Sequence, residues 1–536
     1  MGLNPYLGLR GNALLRAAVM LVVCPTFVCY GYNMSVAGGL LTLETFNLQF
    51  PQMDTINTTG AQNHYNSQIQ GESSQNLQYC NMLNFSGTVI ALYTVGGIFG
   101  ALSCVYLGDA WGRRKVIFIT NAITAVGAIL MASSFHFAQF IVARLVLGLG
   151  IGGYVATVPV WQSEISPAHK RGSNVVTDGI FVGIGVTGAL WIDLGFYFIK
   201  GNSVSWRFPL AFQLVLTLTA MVFITTLPES PRWLVKMGRV DEARGVLAAL
   251  QDEDEHSDSV MTAIQDIETS LAKAGSGTWR DMFTMGEARL FHRAYLAATG
   301  QMFQQMCGVN LITYYATTIF QQYLGLDPVK SRILAAAMGL TQPFGGFLAF
   351  FTIDRLGRRP LLLWSAGVMA ISMAILAGTT STQNNTGALV VAVIFLYIFQ
   401  FTFTVGYSGL TFLYAAEIAP LQVRAAVNAV STATVWAFNF LLAQVTPVGF
   451  ATINNRYYII FAVINAAMIP AVFFFFPETK GRSLEEIDEI FAQSKSIFDP
   501  PKVARRMAKM QVGQVFLEAR DTSSSDESTG DKAVKA

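Results

Sequence analysis

The sequence predicts an all-α membrane protein with twelve transmembrane helices in two pseudo-symmetric six-helix bundles. Three observations carry that prediction. Of 536 residues, 52% are hydrophobic and 13% charged, whereas soluble domains carry about 25% charged residues. Apolar stretches of about twenty residues recur along the chain, each long enough to cross a bilayer as a helix. Three motifs also occur twice, in the same order, at an offset of about 250 residues, as expected of two homologous bundles with a site between them.

In chain order, residues 1–12 form an N-terminal segment. Apolar length then places spans at roughly 13–33, 88–107, 116–134, 140–160, 175–199 and 208–227, the bundle 13–227. The first span lacks a small-residue cleavage site and is one of many, so it reads as a retained helix. A polar, helix-prone linker occupies 228–292, with amphipathic spacing in Asp241–Leu250 and Val260–Leu271. Spans at roughly 294–318, 332–353, 361–379, 388–413, 426–449 and 457–476 form the bundle 293–476. The remainder, 477–536, holds a short helix opened by a capping-box pattern (Ser483, Glu486) and a polar tail that reads as disordered. The basic clusters Arg113–Lys115, Lys170–Arg171, Arg232–Arg239 and Arg355–Arg359 fall on one side of this topology. By the positive-inside rule that side, with both termini, is cytoplasmic, in a multi-pass protein of the plasma membrane. Sequons stand at Asn57, Asn84 and Asn384 in the outer loops, a mild signal for glycosylation.

Composition also excludes. A formal net charge of +2 argues against nucleic acid as a partner. The five cysteines show no zinc spacing and read as small apolar packing residues. No nucleophile or metal constellation and no Walker A loop is present, so neither an enzyme nor an ATP-driven pump is expected, and no cofactor. The expected partners are the lipid bilayer and a small-molecule substrate, with the chain a monomer.

The repeated motifs are Gly108-Asp-Ala-Trp-Gly-Arg-Arg114 with Ile353-Asp-Arg-Leu-Gly-Arg-Arg359, Ser163-Glu-Ile-Ser-Pro with Ala416-Glu-Ile-Ala-Pro, and Pro228-Glu-Ser-Pro-Arg with Pro477-Glu-Thr-Lys-Gly-Arg482. Gly112 and Gly357 allow a tight turn, and the arginines beside them can pair with carboxylates. The expected gating network is Asp109, Arg113, Arg144 and Glu164 in the first half, and Asp354, Arg358, Glu417 and Arg424 in the second. Such pairs make a latch that forms when the inner side is closed and breaks when it opens.

The most polar span is Gln301–Tyr315, QMFQQMCGVNLITYY. Amides are costly in hydrocarbon and should face a protein interior or a wet cavity. Gln301, Gln304, Gln305 and Gly308 share one face of an α-helix. Asn310 would fall roughly opposite Gln301, at about 100° per residue, so either the helix unwinds near Gly308 or Asn310 serves another contact. Neutral amides followed by Tyr314 and Tyr315 suit a ligand made of hydroxyls. The same amides also suit interhelical hydrogen bonds, and the residues alone leave both readings open.

Taken together, GDAWGRR, RLVLGLGIGG (Arg144–Gly153), PESPRWL, QMFQQMCGVNLITYY, IDRLGRR and PETKGRSLEEID resemble the sugar porter family of the major facilitator superfamily over about Ala13–Phe491, its fungal members above all. The resemblance implies alternating-access transport of a monosaccharide. It assigns sugar contacts to Gln304, Gln305 and Asn310 on the seventh helix, Gln342 on the eighth and Asn439 on the eleventh; Gln301 and Tyr314 join them as candidates. Three departures stand out. The family's fifth-helix glutamine aligns with Gly179, beside Asp178, and Phe412 stands at the tenth-helix tryptophan position, where it could still stack on a sugar face. Gly31-Tyr32-Asn33 replaces a motif whose aspartate accepts the proton in coupled members, and an amide does not titrate. The simplest reading is facilitated diffusion. The alternatives are proton-coupled sugar or sugar-acid symport with Asp178 as the coupling group, an intramembrane acid being a functional candidate by default, or a non-transporting sugar sensor. Asp193, nearer the outer end of the same span, reads as interfacial. Gly71–Ser86 interrupts the family pattern and reads as either a loop insertion or a retained intron.

Overall fold

The computed structural model describes residues 5–51, 75–166, 171–274, 279–286, 288–381, 385–420, 423–482 and 484–507. Among them there is no strand, and ten helices are long and apolar enough to cross a bilayer. Two further helices complete the twelve. The second, Gln75–Trp111, carries the shorter apolar stretch Ala91–Cys104. The seventh is broken into Leu290–Met306 and Val309–Thr318.

The first half comprises the first helix Gly11–Leu40, the second, the third Arg113–Ala132, the fourth Phe137–Ile165, the fifth Arg171–Tyr197 and the sixth Val204–Ile224. The second half comprises the seventh, the eighth Pro328–Leu356, the ninth Arg358–Thr379, the tenth Thr386–Ile418, the eleventh Arg424–Ile453 and the twelfth Tyr457–Phe475. The linker folds as the helices Pro231–Lys236, Val240–Gln251 and Asp258–Ala274, and Leu484–Ala492 follows the last span. The halves meet where the second helix packs on the eleventh, the first on the seventh and the fifth on the eighth.

The repeated motifs build the same joint twice. Gly112 and Gly357 sit at φ of +86° and +100°, a region that favours glycine, and each turns the chain into the next helix. Glu229 accepts the backbone N–H groups of Arg113 (3.1 Å) and Arg114 (3.1 Å) at the first turn of the third helix. Glu478 accepts those of Arg358 (2.9 Å) and Arg359 (3.1 Å) on the ninth. A carboxylate at a helix N-terminus satisfies orphan donors and complements the dipole. This is the physical reason that a Pro-Glu motif accompanies each Gly-Arg-Arg turn.

Gly71–Ser74 and the sequons Asn57 and Asn384 lie outside the described residues. Gln75–Ser86 continues the second helix without a break, so Asn84 stands on that helix and not in a loop. Ser483 and the tail after residue 507 also lie outside the described residues.

Candidate functional site

A cavity of about 210 Å³ opens between the halves, over ten times the ~15 Å³ that one water needs on the same scale. It therefore admits a molecule of many heavy atoms. Val160 and Ser163 on the fourth helix, Ala415 and Ala416 on the tenth and Asn428 on the eleventh line one end. These positions adjoin Glu164 and Glu417, so the cavity reaches toward the face that carries the basic loops.

The opposite end is sealed by hydrogen bonds across the halves. Tyr93 and Tyr314 share a bond of 2.6 Å, and Tyr314 donates to Asn439 Oδ1 at 2.7 Å. Arg332 donates to Gly39 O at 3.0 Å and to Thr42 Oγ1, with its guanidinium 4.2 Å from the Tyr197 ring centre.

The break at Gly308 organises the seventh-helix wall. Gly308 lies at φ +103°, which ends one helix at Met306 and starts the next at Val309. The break turns Asn310 back toward the glutamines, where an unbroken helix would carry it away. Asn310 Nδ2 donates to Gln305 Oε1, Gln305 Nε2 to Gln304 Oε1 at 3.1 Å, and Gln304 Nε2 to the carbonyls of Tyr407 (3.1 Å) and Ser408 (2.8 Å). Those carbonyls belong to a π-helical turn, Thr404–Ser408, in the tenth helix. Such turns recur at functional sites. Gln301 Oε1 accepts from Thr411 at 3.2 Å. Gln301 Nε2 and Asn310 Oδ1 are buried with no hydrogen-bond partner among the described residues. Buried polar atoms left this way carry a desolvation cost that a ligand's hydroxyls can relieve.

Of the expected substrate contacts, Gln301, Gln304, Gln305, Asn310, Gln342 and Phe412 line the cavity. Tyr314 and Asn439 do not. They are bonded to each other at the sealed end. Thr313, Ser408, Asn428, Ser431 and Thr432 also line the cavity and were not singled out from the sequence. Thr313 lies three residues after Asn310, and Asn428, Ser431 and Thr432 recur at helical spacing. Both were signals within reach.

Asp178 lies buried at the cavity wall on the fifth helix. Among the described residues its hydrogen-bond partner is Gln162 on the fourth helix, whose amide nitrogen, turned to donate, lies 3.1 and 3.0 Å from the two carboxylate oxygens. Asn33 is held elsewhere, donating to Gln213 Oε1 at 2.7 Å and Cys29 O at 3.0 Å. Asp193, nearer the outer end of the fifth helix, is enclosed by protein. It is 3% exposed and packs against Gly39, where an added Cβ would collide with its carboxylate.

The gating network divides. Arg113 bonds Glu164 at 2.9 Å and Asp109 at 3.2 Å, and Arg358 bonds Glu417 at 2.8 Å and Asp354 at 2.9 Å. Burial pushes the Asp109 carboxyl up, but Lys236 and Arg113 outweigh it and hold it below the usual carboxylate range. Each pair joins two helices of one half, and both are made while the cavity reaches their face. In this conformation they brace each half from within. Arg144 does not join Glu164; it is fully buried beneath the Tyr93 ring, 5.4 Å from its centre. It enters the fourth helix near the end opposite to Glu164, which accounts for the separation. Arg424 donates to Ala419 O at 3.2 Å.

Two six-helix halves around a central cavity, open toward one face and sealed at the other, define a secondary transporter of the major facilitator type. The chain belongs to the family of sugar (and other) transporters, whose pattern matches residues 18–491. It is 33% identical over 527 residues to the sugar transporter STL1 of Saccharomyces cerevisiae, covering 97% of this chain and 89% of the relative. It is 33% identical over 515 residues to the MFS-type transporter oryC of Aspergillus oryzae, covering 94% and 90%. Among solved structures it resembles the proton:xylose symporter XylE bound to 6-bromo-6-deoxy-D-glucose, with a TM-score of 0.71 at 23% identity over 88% of this chain and 98% of that one. It also resembles XylE from E. coli in a partially occluded inward open conformation, with a TM-score of 0.69 at 21% identity over 87% and 99%. At such identities these structures support the fold.

Proposed function

We propose that this protein carries a monosaccharide, a hexose, pentose or related sugar, across the plasma membrane by alternating access of its two halves. One observation carries the reading: the chain of amides Asn310–Gln305–Gln304 on the broken seventh helix, with Gln301 Nε2 and Asn310 Oδ1 left to meet a ligand. Amides donate and accept at once, as sugar hydroxyls do. Relatives of the chain agree, among them a sugar transporter and a galactose transporter of Saccharomyces cerevisiae. By the positive-inside rule the basic face is cytoplasmic, and the cavity then opens inward. Labelled-sugar uptake in cells lacking their own hexose carriers tests the reading; a surface-localised protein that moves no sugar of a hexose and pentose panel overturns it in favour of a sensor.

Two couplings divide the residues. Facilitated diffusion is supported at the first helix, where Asn33 is an amide held by a second amide, Gln213. Proton symport is the second reading, favoured by the burial of Asp178 at the cavity wall against Gln162.

A further inference from the structure

We infer that Asp178 and Gln162 together form a proton-carrying site on the cavity wall, with Asp178 the proton acceptor and Gln162 its positioning residue; the inference rests on the transport reading above.

The geometry is unlike that of a structural ion pair. Asp178 is 5% exposed and Gln162 2%, and among the described residues the carboxylate pairs with the Gln162 amide and not with a cation. The first helix brings Phe27, Tyr30 and Met34 to the same cavity, the eighth brings Gln342, and the tenth brings Ser408 and Phe412; Tyr30 is the titratable group among them. Several charged groups on the helices packed around the fifth are engaged elsewhere. Glu164 is held by Arg113, and Glu417 and Asp354 by Arg358. Arg332 is held by Gly39 and Thr42, and Arg207 by the carbonyls of Ala132 and Ser134. Arg144 lies under the Tyr93 ring. An unpaired carboxylate in such a place is costly to keep ionised without water.

Gln162 serves both protonation states by rotating its amide. Toward the ionised carboxylate it donates from Nε2, the arrangement whose distances are 3.1 and 3.0 Å. Toward the acid, Oε1 accepts the new O–H. The step balances as follows. A proton from water on the sealed side, when that side is open, bonds to one Asp178 oxygen, and the resulting O–H donates to Gln162 Oε1. After the halves reorient, the O–H bond breaks, the proton passes to water on the basic face, and Gln162 turns to donate again. No electrons change hands.

Coupling to sugar follows from water. In the empty cavity water can solvate the carboxylate while the halves rock. A bound sugar displaces that water, so the loaded and ionised form resists occlusion and the loaded and protonated form does not. Only a difference in stability between states shifts the equilibrium, and the charge on Asp178 supplies it. This site differs from the first helix, where Asn33 and Gln213 form a pair with no acid.

The test uses the full chain in proteoliposomes with labelled D-glucose, D-galactose and D-xylose. Two assays are run: uptake under an imposed gradient of one pH unit, and sugar counterflow without a gradient. The unaltered protein is expected to accumulate its sugar up to about tenfold, the limit for one proton per sugar at one pH unit. Asp178→Asn should equilibrate without accumulation while keeping counterflow, and Asp178→Glu should restore accumulation. Gln162→Leu should move the pH midpoint of driven uptake, which a merely structural role would leave in place. If Asp178→Asn fails to fold, proton uptake triggered by adding sugar to the unaltered protein decides the matter. Equilibration without accumulation by the unaltered protein, or accumulation by Asp178→Asn equal to it, overturns the inference and leaves sugar transport standing. Absence of counterflow for every sugar by the unaltered protein overturns the transport reading and this inference with it.

Discussion

Arg113 grips Glu164 through two nitrogens, Nε at 2.9 Å and Nη2 at 3.2 Å, and Arg358 repeats the grip on Glu417 in the other half. There Nη2 lies at 2.8 Å and Nε at 3.2 Å, with Thr479 adding a bond of 2.6 Å to the same carboxylate. A planar fork matched to a carboxylate is a geometry that lysine cannot reproduce. Removing one partner of a largely buried pair leaves the other charge uncompensated, at a cost of about 3 kcal/mol. Arg358→Ala should therefore lower the unfolding temperature of the purified protein by several degrees and cut uptake. Arg358→Lys should recover only part of both. Thermal unfolding in detergent, read beside uptake, checks this; an unfolding temperature unchanged by Arg358→Ala would show that the brace contributes nothing.

Gly308 sits in a backbone region that favours glycine, with little room for a side chain. Its φ is +103°, and an added Cβ would lie 2.8 Å from Met373 Cε and 3.0 Å from Phe461 Cδ1. Alanine would have to push back both side chains and adopt a strained backbone, at a cost of about 1–3 kcal/mol. The expected relief is to straighten the helix, which swings Asn310 away from Gln305. Gly308→Ala should therefore raise the KM for sugar about tenfold or more while the protein still reaches the membrane. An unchanged KM would show that the break does not set the position of Asn310.

Gln305 is the middle link of the amide chain, accepting from Asn310 and donating to Gln304. Leucine in its place leaves one donor and one acceptor unpaired at the cavity wall. Each such group costs about 1–3 kcal/mol, so sugar affinity should fall roughly 10- to 100-fold. Gln305→Glu keeps an acceptor for Asn310 but places a charge in the wall, and should fare no better. Uptake kinetics across hexoses and pentoses measure both.

Much of this arrangement was legible in the sequence because it rests on local chemistry. The repeated motifs marked both Gly-Arg-Arg turns, and the phase of Asn310 against Gln301, Gln304 and Gln305 left a break at Gly308 as one of two readings. Asp178 stood out as an acid in an apolar span. What escaped was contact between helices distant in sequence. Gln162 is one amide among many apolar neighbours on the fourth helix, and nothing in its own helix marks it as the partner of Asp178. Tyr314 follows Asn310 by about one helical turn, yet it sits at the sealed end, because Tyr93 on the second helix and Asn439 on the eleventh meet there. Arg144 and Glu164 share one helix but lie near opposite ends of it, a separation that their shared family motifs did not convey. The burial of Asp193 escaped for the same reason: Gly39 and Arg332, which enclose it, come from two other helices.

Tyr314 closes the end of the cavity opposite the basic face by bonding Tyr93 at 2.6 Å across the two halves and Asn439 at 2.7 Å within its own half. Tyr314→Phe removes both bonds and keeps the ring, so packing changes little. The sealed state should lose about 1–3 kcal/mol relative to the state open at that end, enough to move the population by a factor of roughly 10. A cysteine introduced near the sealed end should then label faster from that side, with the sugar-lining amides untouched. Equal labelling rates in the presence and absence of the Tyr314 hydroxyl would show that the seal rests on other contacts, Arg332 with Gly39 among them.

His292 lies in the first turn of the seventh helix, before its apolar stretch, and is 4% exposed. Neither ring nitrogen has a hydrogen-bond partner among the described residues. The ring meets Phe491 edge-on at 5.7 Å, beside Arg293, which bonds Asp488 at 2.6 Å and lies over the same phenyl ring at 4.5 Å. Burial, together with Arg289 and Arg293, holds the His292 imidazole below its ordinary range. The sign follows. The unfolded or undocked chain binds a proton more readily than the folded one, so docking of the helix Leu484–Ala492 is at full strength above the ordinary histidine value and weakens as pH falls below it. Hydrogen exchange in residues 484–492 should therefore accelerate as pH drops from about 7 toward about 5, after correction for the intrinsic rate. His292→Gln should remove that dependence while leaving the Arg293–Asp488 pair in place. Acceleration of equal size in both proteins would exclude His292 as its source.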